Sequence, residues 1–138
     1  MAAVGSANTG PELRVRKAIH AAGFRYALHR RDLPGRPDIV MPRLGVVIFV
    51  HGCFWHRHKG CKAASTPTSN TEFWTAKFDA NVTRDRRNMR DLKALGWKVV
   101  VVWECATNAV KLQVLLRRLV RMRAEAGLVS GQPREAER

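Results

Sequence analysis

The sequence alternates between short apolar runs rich in β-branched residues and longer segments with a helical pattern. GVVIFV (45–50) and WKVVVVW (97–103) have the length and composition of buried strands. DIVM (38–41) precedes the first of these runs across a short turn, and the two predict a strand pair. FRYAL (24–28) alternates weakly and predicts a further strand. Strands that alternate with helices predict an α/β fold.

Three segments predict helices. The first, GPELRVRKAIHAAG (10–23), can be capped by Thr9 and has Pro11 in its first turn. Residues 71–96 predict one long helix or two abutting helices, and residues 108–127 predict a final amphipathic helix.

The pattern predicts a single domain over residues 10–127. Residues 1–9 are expected to be a flexible N-terminal segment, and the polar stretch 62–70 is expected to be irregular. The polar tail 128–138 is expected to be disordered.

Basic residues outnumber acidic ones, with 25 Lys and Arg against 11 Asp and Glu and a formal charge of +14. Such an excess predicts a polyanionic partner, most simply nucleic acid. A membrane surface is the alternative, but the sequence carries no lipidation motif and no apolar run of spanning length, and its start lacks a signal-peptide pattern. We therefore expect a cytoplasmic protein and no membrane partner.

Cysteine and histidine cluster in HGCFWHRHKGC (51–61), which contains Cys53, His58 and Cys61, and Cys105 follows the last predicted strand. Three cysteines cannot all pair within one chain, and without an export signal metal ligation is favoured over disulfides. Structural zinc often takes three cysteines and one histidine, with a close cluster and one distant ligand. These four residues predict a zinc site that stabilises the loop. The alternative is three unrelated buried thiols beside surface histidines.

Asp38 lies at the entrance of one predicted strand, and the neighbouring strand ends at His51. A carboxylate at a strand end suits Mg²⁺, which takes few protein ligands and shares the rest with phosphate and water. The alternative is that Asp38 only caps the turn after Pro37. His56 is not needed for zinc, so it is a candidate general base or acid that Asp85 could orient, unless it is merely solvated.

Large aromatic residues lie in and just after the loop, at Phe54, Trp55 and Trp74. Beside arginines such rings could stack on bases or insert between them, and the alternative is burial against the zinc cluster. The helix 71–96 is expected to bury one apolar face and to present arginines to phosphates on another. The expected buried set is Phe73, Phe78, Val82, Met89 and Leu92, and the basic set is Arg84, Arg86, Arg87 and Arg90.

Four blocks of the sequence together resemble the very short patch repair (Vsr-type) DNA mismatch endonucleases. They are LPGRPDIV, VIFVHGCFWHRHKGC, TEFWTAKFDANVTRDRR and GWKVVVVWEC, and the resemblance runs from about Gly10 to Cys105. It implies a restriction-endonuclease-like (PD-(D/E)XK-type) fold, with a central mixed β-sheet flanked by helices and a structural zinc site. It also implies Mg²⁺-dependent nicking of duplex DNA at or next to a T·G mismatch, which arises when 5-methylcytosine deaminates.

The resemblance also implies roles for individual residues. Those at the reaction centre would be Asp38 and the backbone carbonyl of Val50 as Mg²⁺ ligands, His56 as activator of water, Asp85 as its support, His51 as a phosphate contact and Glu12 as an accessory acid. The zinc ligands would be Cys53, His58, Cys61 and Cys105, and the intercalating residues would be Phe54, Trp55 and Trp74.

Two departures leave other functions open. Val50 occupies a position where Thr is common in the family, and the segment VGSANT lacks the positive charge expected near the N-terminus. One alternative is a Vsr-like nickase or defence nuclease without mismatch specificity, and another is a non-catalytic zinc-containing DNA-binding module. The presence of Asp38, His56 and Asp85 favours catalysis. The expected partner is duplex DNA in the bacterial nucleoid, with mismatch-repair proteins as further candidates, and the expected state is a monomer.

Overall fold

The computed structural model of the chain describes residues 9–127, in which helices alternate with strands. The helices are α1 (Gly10–Ala21), α2 (Thr71–Ala94) and α3 (Ala109–Glu125). The strands are β1 (Ala27–Leu28), β2 (Ile39–Met41), β3 (Val46–His51) and β4 (Lys98–Trp103), and 3₁₀ turns occur at Lys62–Ala64 and Glu104–Ala106. The expectations for the segments 1–8 and 128–138 lie outside the described residues.

The four strands form one mixed sheet in the order β1-β2-β3-β4. β2 pairs antiparallel with both β1 and β3, whereas β3 and β4 are parallel, with His51 opposite Trp103. A tight turn joins β2 to β3, and Gly45 closes it at a φ of 69°. The parallel pair requires a long crossover, which α2 and the loop before it provide. The predicted α/β alternation and the mixed sheet with flanking helices are therefore confirmed.

Both faces of the sheet are covered by helices. Alternate residues of β3 point to opposite faces, so Val46 and Ile48 contact the layer of α1 and α3, and Val47 and Phe49 contact the layer of α2. The helices contribute Val15, Ile19, Leu115 and Leu119 on the first face and Leu92 on the second. Burial on both faces explains why β3 reads as a continuous apolar run.

The helix ends follow from local chemistry. The Thr9 side chain accepts a hydrogen bond from the Glu12 N–H at 3.3 Å, and the Asn108 side chain accepts one from the Lys111 N–H at 2.9 Å. Residues 71–94 form one uninterrupted helix, which resolves the alternative of two abutting helices. The chain leaves this helix at Gly96, whose φ of 97° favours glycine.

Two details differ from the expectations. Phe73, expected on the buried face of α2, is 61% exposed, because the first turns of this helix pack against the 52–61 loop and not on the sheet. The stretch 62–70, expected to be irregular, contains the 3₁₀ turn Lys62–Ala64.

Among residues 9–127, none of the helices combines the length and apolar character needed to cross a membrane.

Candidate active site

A cleft of about 780 Å³ opens at the carboxyl end of β3, between the 35–38 turn, the 52–56 loop and one face of α2. The predicted site residues that line it are Asp38, Val50, His51, Phe54, Trp55, His56, Arg84 and Asp85. The sheet explains this convergence, since β2 begins where its antiparallel neighbour β3 ends.

Asp38 and Val50 are adjacent in this cleft. The Val50 N–H donates a hydrogen bond to Asp38 Oδ2 at 2.7 Å. Because the N–H and C=O of a strand residue point to the same side, the Val50 carbonyl also faces the side of Asp38. Burial raises the pKa of Asp38 to about 6, so the ionised carboxylate would gain from a cation beside it. The two predicted Mg²⁺ ligands are thus brought together.

Glu12 and His29 flank Asp38 from the α1 side. Glu12 is only 1% exposed, and its Oε2 lies 2.7 Å from His29 Nε2 and 3.3 Å from the Arg16 guanidinium. The backbone N–H of His29 donates a hydrogen bond to the backbone carbonyl of Asp38 at 3.1 Å. Ligand atoms of Glu12, His29 and Asp38 all lie within 4.8 Å of one another. Sequence reasoning identified Glu12 but missed His29, whose place depends on β1 meeting β2.

His51, His56 and Asp85 form a second group in the same cleft. His56 Nδ1 lies 2.6 Å from Asp85 Oδ2, and the His56 ring stacks on His51 with centroids 3.8 Å apart and planes 3° apart. The hydrogen bond to Asp85 fixes the tautomer of His56 and directs Nε2 away from α2. The structure therefore pairs His56 with Asp85, as the sequence predicted.

The environment of His51 keeps its ring neutral. Burial, helped by the neighbouring His56, lowers the pKa of His51 to about 4. Its Nδ1 is buried and lacks a hydrogen-bond partner among the residues that the structure describes. A buried polar atom without a partner is costly, and a bound ligand or ion could satisfy it.

The four predicted zinc ligands come together beside this cleft. His58 Nδ1 lies 3.6 Å from Cys53 Sγ and 3.4 Å from Cys105 Sγ, and ligand atoms of these three residues and Cys61 all lie within 4.8 Å of one another. A tetrahedral zinc with bonds of about 2.3 Å to sulfur and about 2.0 to 2.1 Å to nitrogen separates such atoms by roughly 3.6 Å. The donor set therefore fits zinc.

Local contacts prepare the loop for this geometry. The His58 N–H donates to the Cys53 carbonyl at 3.0 Å, and the His58 ring stacks on Trp103 with centroids 4.2 Å apart. Burial raises the pKa of the Cys53 thiol to about 11, so a bound metal would displace a proton from it.

An aromatic cluster joins the 52–61 loop to α2 and consists of Phe54, Trp55, Trp74 and Phe78. Phe54 contacts Trp55, Phe78 and Trp74 with centroids 5.0, 5.1 and 6.1 Å away. Phe54 and Trp55 line the cleft, and Trp74 packs behind them and also contacts the exposed ring of Phe73 at 5.3 Å. Partly exposed rings of this kind could contact a ligand. Phe73, which was expected in the core, is therefore a further candidate for such a contact.

The basic residues of α2 do not all face the cleft. Arg84 lines it, whereas Arg86, Arg87 and Arg90 are exposed elsewhere on the helix. The helical period places Arg84 on the cleft face, because it lies three residues after Asn81 and four before Asn88, which also line the cleft. The structure thus brings one of the four predicted phosphate-binding arginines to the cleft.

The same period identifies cleft residues that sequence reasoning missed. Lys77, Asn81 and Asn88 share the face of Asp85 and line the cleft, and the Asn81 side-chain amide donates to the Trp55 carbonyl at 3.3 Å. Gly35 approaches Asn88 so closely that a Cβ would lie 3.0 Å from its side chain, and its φ is 77°. This contact explains the glycine of the LPGRPD turn.

Comparison with known proteins identifies the family. Residues 1–63 match the family described as DNA mismatch endonuclease Vsr. The type II nicking enzyme V.XorIIP of Xanthomonas oryzae pv. oryzae is 47% identical over 121 residues, which cover 87% of this chain and 88% of that protein. The chain belongs to the Vsr family.

Two further relatives agree with this assignment. The DNA mismatch endonuclease Vsr of Escherichia coli is 43% identical to this Vsr-family chain over 106 residues, covering 77% of the chain and 67% of that protein. The type II nicking enzyme V.NmeAIP of Neisseria meningitidis is 43% identical over 122 residues, covering 88% and 86%. The expected resemblance to Vsr-type proteins and the expected class of DNA endonuclease are confirmed.

Proposed function

We propose that this Vsr-family protein is a Mg²⁺-dependent endonuclease that nicks one strand of duplex DNA at or next to a T·G mismatch. The observation that carries the proposal is the meeting of Asp38 and Val50 with the His56–Asp85 pair in a single cleft. We assign the mixed sheet with its flanking helices to the restriction-endonuclease-like fold, in which a carboxylate at a strand end holds the metal.

Asp38 and the carbonyl of Val50 would hold the Mg²⁺ ion, with Glu12 as an accessory acid next to Asp38. Bound there, Mg²⁺ would neutralise charge that develops on the phosphate and on the leaving oxygen. The raised pKa of Asp38 supports this role, because the carboxylate lies where a cation compensates for its burial.

His56 would act as the general base. Its Nδ1 donates to Asp85 in the neutral form, so Nε2 is free to accept a proton from water as the water oxygen bonds to phosphorus and one phosphodiester bond breaks. Asp85 stabilises the imidazolium that forms. His51, held neutral by burial, would contact the phosphate, and its stacking on His56 restricts the rotation of that ring.

Zinc would be structural. Three thiols and one imidazole provide four ligands, which leaves no open position for water or substrate. Zinc on Cys53, His58, Cys61 and Cys105 would tie the 52–61 loop to the end of β4. The loop carries His56 and two of the aromatic residues, so the metal would position both.

Phe54, Trp55 and Trp74 would insert beside the mismatch, with Arg84, Arg86, Arg87 and Arg90 binding phosphates. A mismatched step costs less to unstack than a paired one, and insertion of aromatic side chains would exploit that difference. The +14 formal charge supports a DNA partner.

A nicking enzyme that requires no mismatch is a second candidate. Two of the relatives are named type II nicking enzymes, and one of these has the highest identity of the three described above. A non-catalytic zinc module is disfavoured by the hydrogen bonds that prepare Asp38 and His56 for chemistry.

The test is single-turnover nicking of end-labelled duplexes that differ only in one pair, T·G or T·A, with and without Mg²⁺. The proposal predicts one cut strand, dependence on Mg²⁺ and a preference for T·G. Equal rates on both duplexes would favour the second candidate, and no cleavage with Mg²⁺ would overturn the endonuclease mechanism.

We further propose that the protein acts as a monomer on chromosomal DNA in the bacterial cytoplasm, with mismatch-repair proteins as candidate partners. The complete set of candidate catalytic and zinc residues lies on one chain, which supports a monomer.

A further inference from the structure

Arg57 lies in the middle of the 52–61 loop but belongs neither to the candidate zinc ligands nor to the residues that line the cleft. Its guanidinium donates four hydrogen bonds to other groups of the protein, two of them part-buried and two exposed. Nη1 donates to the carbonyls of Phe54 and Ser65 at 3.1 Å each, and Nη2 donates to the Ala64 carbonyl at 2.6 Å and to Thr66 Oγ1 at 3.1 Å. One side chain thereby joins the start of the loop to the segment after its last cysteine.

The same guanidinium lies against the aromatic cluster. Its Cζ is 3.9 Å from the ring centroid of Phe78 and 5.6 Å from that of Phe54. A cation over a ring face is attracted by the ring's quadrupole, and arginine does this while its edge still donates hydrogen bonds. Phe78 in turn contacts Trp55 and Trp74 at centroid distances of 6.4 and 5.7 Å.

The backbone of Arg57 is also constrained. Its φ is 56°, in the left-handed region that residues other than glycine seldom adopt, so the surrounding contacts must hold it there. Side chains on either side of it in sequence serve different tasks, since His56 contacts Asp85 and His58 contacts two cysteines. The left-handed backbone conformation directs the Arg57 side chain towards Phe78 of α2, while the side chains of His56 and His58 make these other contacts.

We propose that Arg57 is a positioning residue that fixes Phe54 and Trp55 in the orientation needed to insert beside a mismatch, and that it thereby sets the preference for mismatched DNA. This inference rests on the proposed insertion of the aromatic residues. Insertion requires a rigid group, because a side chain that must first be ordered loses part of its binding free energy. Arg57 supplies this rigidity because it donates a hydrogen bond to the Phe54 carbonyl and packs on the ring of Phe78. Phe78 in turn contacts the rings of Phe54 and Trp55.

Lysine at this position distinguishes positioning from simple charge. Arg57→Lys retains the positive charge, but a single ammonium cannot reach four acceptors with the geometry of a planar guanidinium. Arg117→Lys, the same change at an exposed position of α3, is the matched control.

The experiment uses the full-length zinc-loaded protein and a duplex with 2-aminopurine next to a T·G or T·A pair, in Ca²⁺ to prevent cleavage. The fluorescence of 2-aminopurine rises when it is unstacked. Wild type and Arg117→Lys should raise it on T·G duplex, and Arg57→Lys should lose most of that rise. For Arg57→Lys, the ratio of the nicking rate on T·G duplex to that on T·A duplex in Mg²⁺ should fall about tenfold. A fall of this size is expected when one or two hydrogen bonds that hold the rings are lost. Affinity for the T·A duplex and zinc content should not change.

Each other outcome decides the matter. If Arg57→Lys binds zinc and unstacks the T·G step as wild type does, Arg57 does not position the rings, although insertion stands. If wild type itself gives no rise on T·G duplex, both the proposed insertion and this inference are wrong. Should Arg57→Lys not fold, Thr66→Val removes one exposed acceptor of the guanidinium. It should then lower the nicking ratio in part, and an unchanged ratio would overturn the inference.

Discussion

Replacement of Asp38 by Asn should make the metal-free protein more stable while it abolishes nicking. Burial raises the pKa of this carboxyl from 3.8 to about 6, against the hydrogen bond from Val50, which lowers it. The folded protein therefore binds the proton more tightly than the unfolded chain does. The stability that Asp38 contributes is present below pH about 4 and is lost as the pH rises through about 6.

The magnitude follows from the same shift. A shift of roughly two pKa units corresponds to about 3 kcal/mol at pH 7.5, where Asp38 is ionised in both states. Asn is neutral and nearly isosteric, and its Oδ1 can still accept the hydrogen bond from Val50. For a domain of this size the Tm should rise by roughly 5 to 12 °C at pH 7.5 and change little at pH 4.

Thermal denaturation followed by circular dichroism between pH 4 and pH 8, without Mg²⁺, measures this difference. Asp32→Asn is the matched control, since its exposed carboxylate has a pKa lowered by Arg30 and no burial to relieve. Addition of Mg²⁺ should raise the Tm of wild type and leave that of Asp38→Asn unchanged, because a ligand stabilises only the state that binds it. An Asp38→Asn protein whose Tm matches wild type at pH 7.5, or falls below it at every pH, would show that the buried carboxylate does not destabilise the metal-free protein.

Further changes test other parts of the site. Cys105→Ser should reduce bound zinc and lower the Tm together, as seen by metal analysis and calorimetry, and a folded protein without zinc would contradict the structural role. The double variant Phe54→Ala, Trp55→Ala should keep its affinity for paired duplex but lose the preference for T·G. Loss of the affinity together with the preference would indicate misfolding. Affinity for any duplex, measured by anisotropy, should fall steeply from 50 to 200 mM salt, by about 10³ or more if six phosphates are contacted. Glu12→Gln should slow nicking less than loss of His56 does, and an equal loss would make Glu12 a primary ligand.

Local sequence patterns were sufficient for much of the fold. Thr9 and Pro11 predicted the first helix, periodic apolar residues predicted the other two, and β-branched runs predicted β3 and β4. The Cys and His spacing predicted a metal site whose atoms the fold then brings together. These signals succeed because neighbours in sequence determine them.

Features that depend on packing between distant segments were not predictable in the same way. Phe73 fits the apolar face of α2 by its spacing, yet no sheet lies beneath that end of the helix. His29 contacts Glu12 only because β1 pairs with β2 and α1 packs across the sheet. In the sequence, nothing distinguishes Arg57 from the other basic residues, because its hydrogen bonds form only when the chain returns to it at residues 64–66.

The most direct test of the central claim is the single-turnover nicking rate of His56→Ala on a T·G duplex in saturating Mg²⁺, with binding measured in parallel. His56 is held by Asp85 beside Asp38, and removal of a general base typically slows a reaction by about 10² to 10⁴. We expect a loss of that size, with duplex affinity and zinc content close to those of wild type. Nicking by His56→Ala at the wild-type rate would contradict the assignment of this cleft as the active site.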